Sequence, residues 1–190
     1  MRGRTVAKNR DTHRTRRGRL VCEHLLMTVA VNVKLRKPVV DDGRYIWELI
    51  RDVGTLDVNS SYSYLMLCKF FSDTCLVAVA GNRIVGFISA FLRPDEQATL
   101  FVWQVAVHPQ HRNQRIGSTL VKSLLDSEFC KGCAYVEATV TPDNRSSDSL
   151  FRGIARDLSA ECCVTTCFSS ESFPESSHQP ENLYRIGPIR

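Results

Sequence analysis

No run of apolar residues in this sequence approaches the roughly 20 needed to cross a bilayer as a helix. No internal repeat is evident, which excludes a solenoid or propeller array. A secretory leader is not expected. Residues 20–31 are mostly apolar but are interrupted by Glu23 and His24, and no clear small-residue cleavage site follows. Charged residues are 24% and hydrophobic residues 43%, so the chain is not collagen, a coiled coil or wholly disordered. What is present suits one domain, or one domain with tails. A chain of 190 residues buries about two-thirds of its unfolded surface and holds a core without staples.

The formal charge of +5 conceals an asymmetry. Residues 1–19 carry eight basic side chains against the single acid Asp11, which makes that segment +7 and the rest of the chain −2. A segment so charged and so poor in apolar residues cannot bury enough surface to fold alone. Residues 1–26 are therefore expected to be a basic, disordered tail. Met27 offers a second possible start just before the first strand, and 27–190 reads as the folded domain. A nucleic-acid arm is the competing reading of the tail.

Eight cysteines without a leader are expected to be reduced thiols. Cys130 and Cys133 have the spacing of a zinc knuckle, and Cys162, Cys163 and Cys167 are further possible ligands. No second pair or histidine stands at ribbon or finger spacing, and Cys133 runs directly into an apolar strand, so no metal is expected. Cys68 and Cys75 read as small packed hydrophobes.

Periodicity predicts strands at 31–37, 74–80, 84–92, 100–107, 134–140, 161–168 and 183–186, and helices at 41–53, 62–71, 116–129 and 144–159. Asp41 or Asp42 is the expected cap of the first helix and Gly54 its stop. Gly81-Asn82 reads as a hairpin turn. Ser169 to Asn182 is rich in Ser, Pro and Glu and reads as a loop. The order β-α-α-β-β-β-α-β-α-β-β argues a mixed sheet in an α/β layer architecture.

One strand–turn–helix unit is suited to a pyrophosphate. Strand 100–107 leads into His108-Pro109-Gln110-His111-Arg112-Asn113-Gln114-Arg115-Ile116-Gly117 and then a helix. The helix start offers unpaired amides, Gly117 permits close approach, and Arg112 and Arg115 supply phosphate-pairing charge. A solvated basic loop is the competing reading.

Val105-Ala106-Val107-His108-Pro109, followed by Arg112 through Gly117, resembles the acetyl-CoA-binding segment of the GNAT N-acetyltransferases. Their pattern is Arg/Gln-x-x-Gly-x-Gly/Ala; Arg112 and Gly117 match, and Arg115 stands in place of the first glycine. Asn144, Ser147, Leu150 and Phe151 resemble the family's Asn-x-x-Ala-x-x-Leu-Tyr helix, with Phe151 in place of the tyrosine that commonly serves as general acid. Asp57 through Leu65, Phe101 through Val107, Val140 through Asn144 and Tyr184 through Pro188 narrow the likeness to the ectoine-forming diaminobutyrate acetyltransferases of that family. It extends over about residues 33–188.

The resemblance implies a single-domain fold, α/β (α+β), with a mixed, mostly antiparallel twisted sheet flanked by helices. It implies acetyl transfer from acetyl-CoA to the 4-amino group of L-2,4-diaminobutyrate in a ternary complex, with no metal. It also implies a homodimer joined near 161–168, located in the cytoplasm, without nucleic acid or membrane as partner. The coenzyme is expected on Val105, Ala106, Val107, Arg112, Asn113, Gln114, Arg115, Ile116, Gly117, Ser118, Asn144, Ser147 and Phe151. The Val105 backbone N–H is the expected donor to the oxyanion. Without a tyrosine at 151, water protonates the leaving thiolate, or the thiolate needs no acid.

Amine deprotonation needs an acceptor, and Asp57, Glu137, His178 and Glu181 are candidates. Glu137 sits in an otherwise apolar strand, where burial without a partner would raise its pKa; a structural hydrogen-bond acceptor is the alternative. A diamine needs an anionic anchor, for which Asp57 is the first candidate and Asn59 a second. Both residue types also cap helices and make turns. Trp103 is either a pocket wall facing an ammonium or a core residue. His178 and Glu181 either close over the site, reach a neighbouring subunit, or are solvated surface. The competing functions are acetylation of another small diamine or amino acid, and a degenerate acyl-CoA-binding module.

Overall fold

The computed structural model describes residues 33–174 and 177–189. The basic segment 1–26, the second start at Met27 and Cys22 lie outside the described residues.

Strand β1 (Val33–Arg36) leads through a 3-10 turn into helix α1 (Gly43–Val53), whose Ile46, Leu49 and Ile50 form one buried stripe at helical spacing. Asp42 stands at the cap position of α1 but does not cap it. Its carboxylate accepts instead from the Val39 N–H at 2.7 Å and pairs with Arg36 at 2.6 Å, tying β1 to the start of α1. The Arg36 guanidinium holds the Asp42 carboxyl below its ordinary range. Gly54 ends α1 in the left-handed region at φ 68°, where a side chain would be strained. Helix α2 (Ser61–Phe70) starts at Ser60, whose hydroxyl accepts from the Ser63 N–H.

Strands β2 (Cys75–Ala80) and β3 (Arg83–Leu92) form the expected hairpin across Gly81-Asn82, and β4 (Thr99–Val107) follows. Helix α3 (Ile116–Leu125) is shorter than its apolar pattern predicts. The Ser127 hydroxyl donates to the Leu124 carbonyl at 2.6 Å, and the chain then turns into a 3-10 segment at Glu128–Cys130. After β5 (Tyr135–Val140), helix α4 (Arg145–Asp157) begins at Asn144, whose side chain accepts from the Ser147 N–H. Strand β6 (Cys162–Phe168) and strand β7 (Glu181–Ile186) complete the fold.

The seven strands form one sheet in the order β1-β2-β3-β4-β5-β7-β6. Only β4 and β5 run parallel, joined by the α3 crossover. The larger core packs α3 and α4 on one face, with Leu120, Leu124, Phe151 and Ile154 against Leu100, Val102, Val136 and Ile186. The smaller packs α1 and α2 on the other, around Ile46, Tyr64, Phe87 and Ala106. Each fully buried side chain of this size contributes roughly 1.5–3 kcal/mol. Cys68 and Cys75 pack in the smaller core, as expected. Burial pushes the thiols of Cys75 and Cys130 up to about 12.

Two irregularities shape the site. Ser89 and Ala90 of β3 face Gln104 and Val102, so Trp103 is an extra residue and β4 bulges there. The bulge switches faces: Leu100 and Val102 point into the larger core, Ala106 into the smaller. In addition, β4 pairs with β5 only from Thr99 to Phe101, after which the two strands part.

Candidate active site

The parted strands open a cavity of about 560 Å³. Val105, Ala106 and Val107 form its floor. Arg112, Asn113, Arg115, Ile116, Gly117 and Ser118 form one lip, and Arg145, Ser146, Ser147, Ser149 and Leu150 the other.

The floor presents unpaired backbone groups. The His108 N–H donates to the Val85 carbonyl at 2.8 Å. Along an antiparallel ladder the amides alternate sides, so those of Gln104 and Ala106 point to β3. Those of Val105 and Val107 point away from β3, into the gap where β5 has left. This is the geometry of a donor to a developing oxyanion, at the residue expected to supply it.

The first lip is the start of α3. Arg115 occupies its cap position with φ 59° and no side-chain cap, and Asn113 is also left-handed at φ 61°. The first amides of α3 are thus left open to a ligand. A Cβ at Gly117 would lie 3.3 Å from Leu150 and 3.7 Å from Val107, so a glycine keeps α3 close to both.

Three of the expected coenzyme contacts, Gln114, Asn144 and Phe151, are not among the cavity-lining residues. Phe151 is fully buried, its ring 6.2 Å from that of Tyr184. Asn144 spends its carbonyl oxygen on the Ser147 amide at 3.1 Å, so it shapes the lip by capping α4.

The segment between α1 and α2 is held against β4 by a relay that the sequence reading overlooked. Gln104 Nε2 donates to the Asp57 carbonyl at 2.9 Å, Tyr64 Oη to Gln104 Oε1 at 3.3 Å, and the Asn59 N–H to Tyr64 Oη at 3.3 Å. Gln104 and Tyr64 are both buried. The signal was present: Gln104, like Glu137, is a lone polar residue inside an apolar strand. The relay leaves the Asp57 side chain exposed and fixes it by its backbone.

Glu181 lies on β7 and not in the preceding loop as predicted. Its carboxyl is held above the ordinary range, first by burial and also by the nearby negative charge of Asp57; Thr139 and His178 act in the opposite direction. Glu181 thus feels the charge of Asp57, which is distant in sequence, and of His178, three residues before it; none of the three is among the residues lining the cavity. The His178 ring stacks on Phe173 at 3.6 Å, and its Nδ1 lies 2.6 Å from the Gln179 carbonyl. Trp103 is not a core residue; it sits at the bulge, 48% exposed.

Glu137 requires a correction. It is buried, at 1% exposure, but it is not unpaired. Arg93 Nη1 donates to one carboxylate oxygen at 2.8 Å and Arg185 Nη1 to the other. Those arginines also hold Asp95 and Glu96. Glu137 thereby knits β5, β7 and the β3–β4 loop. Among the described residues, no group of three or more His, Cys, Asp or Glu converges as a metal site.

The sequence profile of the GNAT acetyltransferase family matches residues 44–154. The chain is 49% identical over 156 residues to an L-2,4-diaminobutyric acid acetyltransferase of Shouchella clausii, covering 82% of this chain and 87% of that one. It is 41% identical over 166 residues to the enzyme of that name from Streptomyces coelicolor, covering 86% and 98%. The solved structure of diaminobutyrate acetyltransferase from Paenibacillus lautus, in complex with its substrate L-2,4-diaminobutyric acid and coenzyme A, superposes with a TM-score of 0.80. It is 45% identical, covering 83% of this chain and 96% of that one. The fold, the opened β4–β5 cavity and these relatives together place the chain in the GNAT acetyltransferase family, among the L-2,4-diaminobutyric acid acetyltransferases.

Proposed function

We propose that this protein transfers acetyl from acetyl-CoA to the 4-amino group of L-2,4-diaminobutyrate, a step of ectoine biosynthesis that serves osmoprotection. The observation that carries the reading is the juxtaposition of two halves. A cavity with open β4 amides and three arginines suits the coenzyme, and the carboxylates of Asp57 and Glu181, within each other's electrostatic reach, suit a doubly cationic amine.

The coenzyme supplies the acetyl thioester. The open amides of α3 and Arg112 receive its phosphates, and the Val105 N–H receives the carbonyl oxygen as charge develops. Asp57 anchors the substrate's ammonium groups, with Asn59 beside it and Trp103 as an aromatic wall. Glu181 takes the proton from the reacting amine: burial has raised its basicity, so it holds a proton better than an ordinary carboxylate does. His178 borders the same acceptor side. Phe151 has no hydroxyl and is buried, so the departing thiolate takes its proton from water.

Residues 27–190 are the catalytic domain and 1–26 a basic appendage. The enzyme is a homodimer whose contact includes β6, supported by that strand's place at the sheet edge with residues 163–168 exposed. Free thiols among the described residues suit a reducing cytoplasm; among those residues no helix is long and apolar enough to cross a membrane.

A thiol-release assay on the full chain tests the reaction, with L-2,4-diaminobutyrate, ornithine, lysine and putrescine as acceptors. Preference for L-2,4-diaminobutyrate, with the acetyl group located on N4 by mass spectrometry, supports it. Coenzyme binding without turnover of any amine overturns it in favour of an acyl-CoA-binding module.

A further inference from the structure

The cavity lining contains three arginines, Arg112, Arg115 and Arg145, and no carboxylate. Among the described residues none of the three guanidiniums is engaged in an ion pair or a side-chain hydrogen bond, whereas Arg36, Arg93, Arg152 and Arg185 all are. Asp157 lies in the field of Arg115, and Lys122 already holds it at 2.6 Å. Unneutralised cations on both lips of a cavity point to a polyanion.

Arg115 also occupies its place against its backbone preference. At φ 59° it adopts a conformation that glycine accepts freely and a side chain does not. Strain of this kind persists where the side chain is needed. The start of α3 has no side-chain cap, so its amides are free for two bridging phosphates. The start of α4 is capped by Asn144, so Arg145 contributes through its guanidinium alone. Arg115 and Arg145 are both exposed and stand on opposite lips.

Building on the acetyltransferase reading, we infer that Arg115 and Arg145 together grip the 3′-phosphate of coenzyme A, so that this enzyme selects acetyl-CoA over acetyl-3′-dephospho-CoA. The pyrophosphate is common to both molecules and stays with the α3 amides and Arg112. Only the terminal dianion distinguishes them.

The test measures kcat/KM for both acetyl donors in the parent, in Arg115→Gly and in the Arg115→Gly/Arg145→Gln pair. Thermal shifts with coenzyme A and 3′-dephospho-coenzyme A are recorded alongside. The parent is expected to prefer acetyl-CoA by at least about tenfold, the range of a charge-assisted contact. That ratio falls in Arg115→Gly and approaches one in the double variant, mainly through KM. Arg115→Gly without ligand melts about 2 °C higher, because glycine relieves the left-handed strain. Equal losses with both donors, or an unchanged ratio in the double variant, overturn the inference while leaving the acetyltransferase reading intact. A parent that turns over neither donor overturns both.

Discussion

Glu137 and Glu181 lie on neighbouring strands, one buried and the other half-buried, yet their partners give them opposite work. Glu137 is clasped by Arg93 and Arg185. Removing one member of such a buried set strands the others, at a cost of about 3–5 kcal/mol. Glu137→Ala should therefore lower Tm by roughly 10 °C at about 2–4 °C per kcal/mol, while the folded fraction keeps its kcat. Thermal melting and active-site-normalised rates check both halves. Glu181→Gln should do the reverse, keeping Tm near the parent and lowering kcat by about 10²–10⁴. The sign of the pH dependence follows from its raised pKa. The base works only when deprotonated, so activity falls as pH drops through that raised value, above the range of an ordinary glutamate. The Gln variant should lose this limb of the pH–rate profile. The sequence showed that position 137 is unusual but not what faces it, because Arg93 and Arg185 arrive from distant segments. Asp57 was legible through its place in a polar turn; that its charge reaches Glu181 was not, since the two are more than a hundred residues apart in sequence.

Elements were legible wherever one period dominated. All eleven appear in the predicted order, because alternating or helical apolar spacing survives into burial. The ends shifted where a local hydrogen bond overrides the pattern, as when Ser127 closes α3 early. The β4 bulge left no mark in the sequence. A single extra residue at Trp103 changes which face each later residue takes, and an apolar run reads the same with or without it. Strand β6 carries the next prediction. Among the described residues its outer edge pairs with no other strand, and Val164 and Phe168 on it are exposed; such an edge invites pairing with another strand. Sedimentation at micromolar concentration should give twice the 21.5 kDa of one chain, and Val164→Lys should shift the protein toward monomer. A monomeric parent would remove the dimer from the proposal.

At the scale of the molecule, the seven strands join in one sheet, and β4 leaves β5 after Phe101. On the proposed reading, the gap between β4 and β5 receives the coenzyme, whose own amide-bearing arm takes the place of the missing strand contacts. The native state is thus incomplete in one place by construction, and its stability depends on ligand concentration through mass action: at 100 times Kd, about 2.7 kcal/mol is added. Amide hydrogen exchange would show this residue by residue. In the free protein the Val105 and Val107 amides should exchange quickly while Gln104 and Ala106, bonded to β3, stay protected. With coenzyme A bound, the alternation should vanish, and a central strand that exchanges at every second position would become uniformly slow.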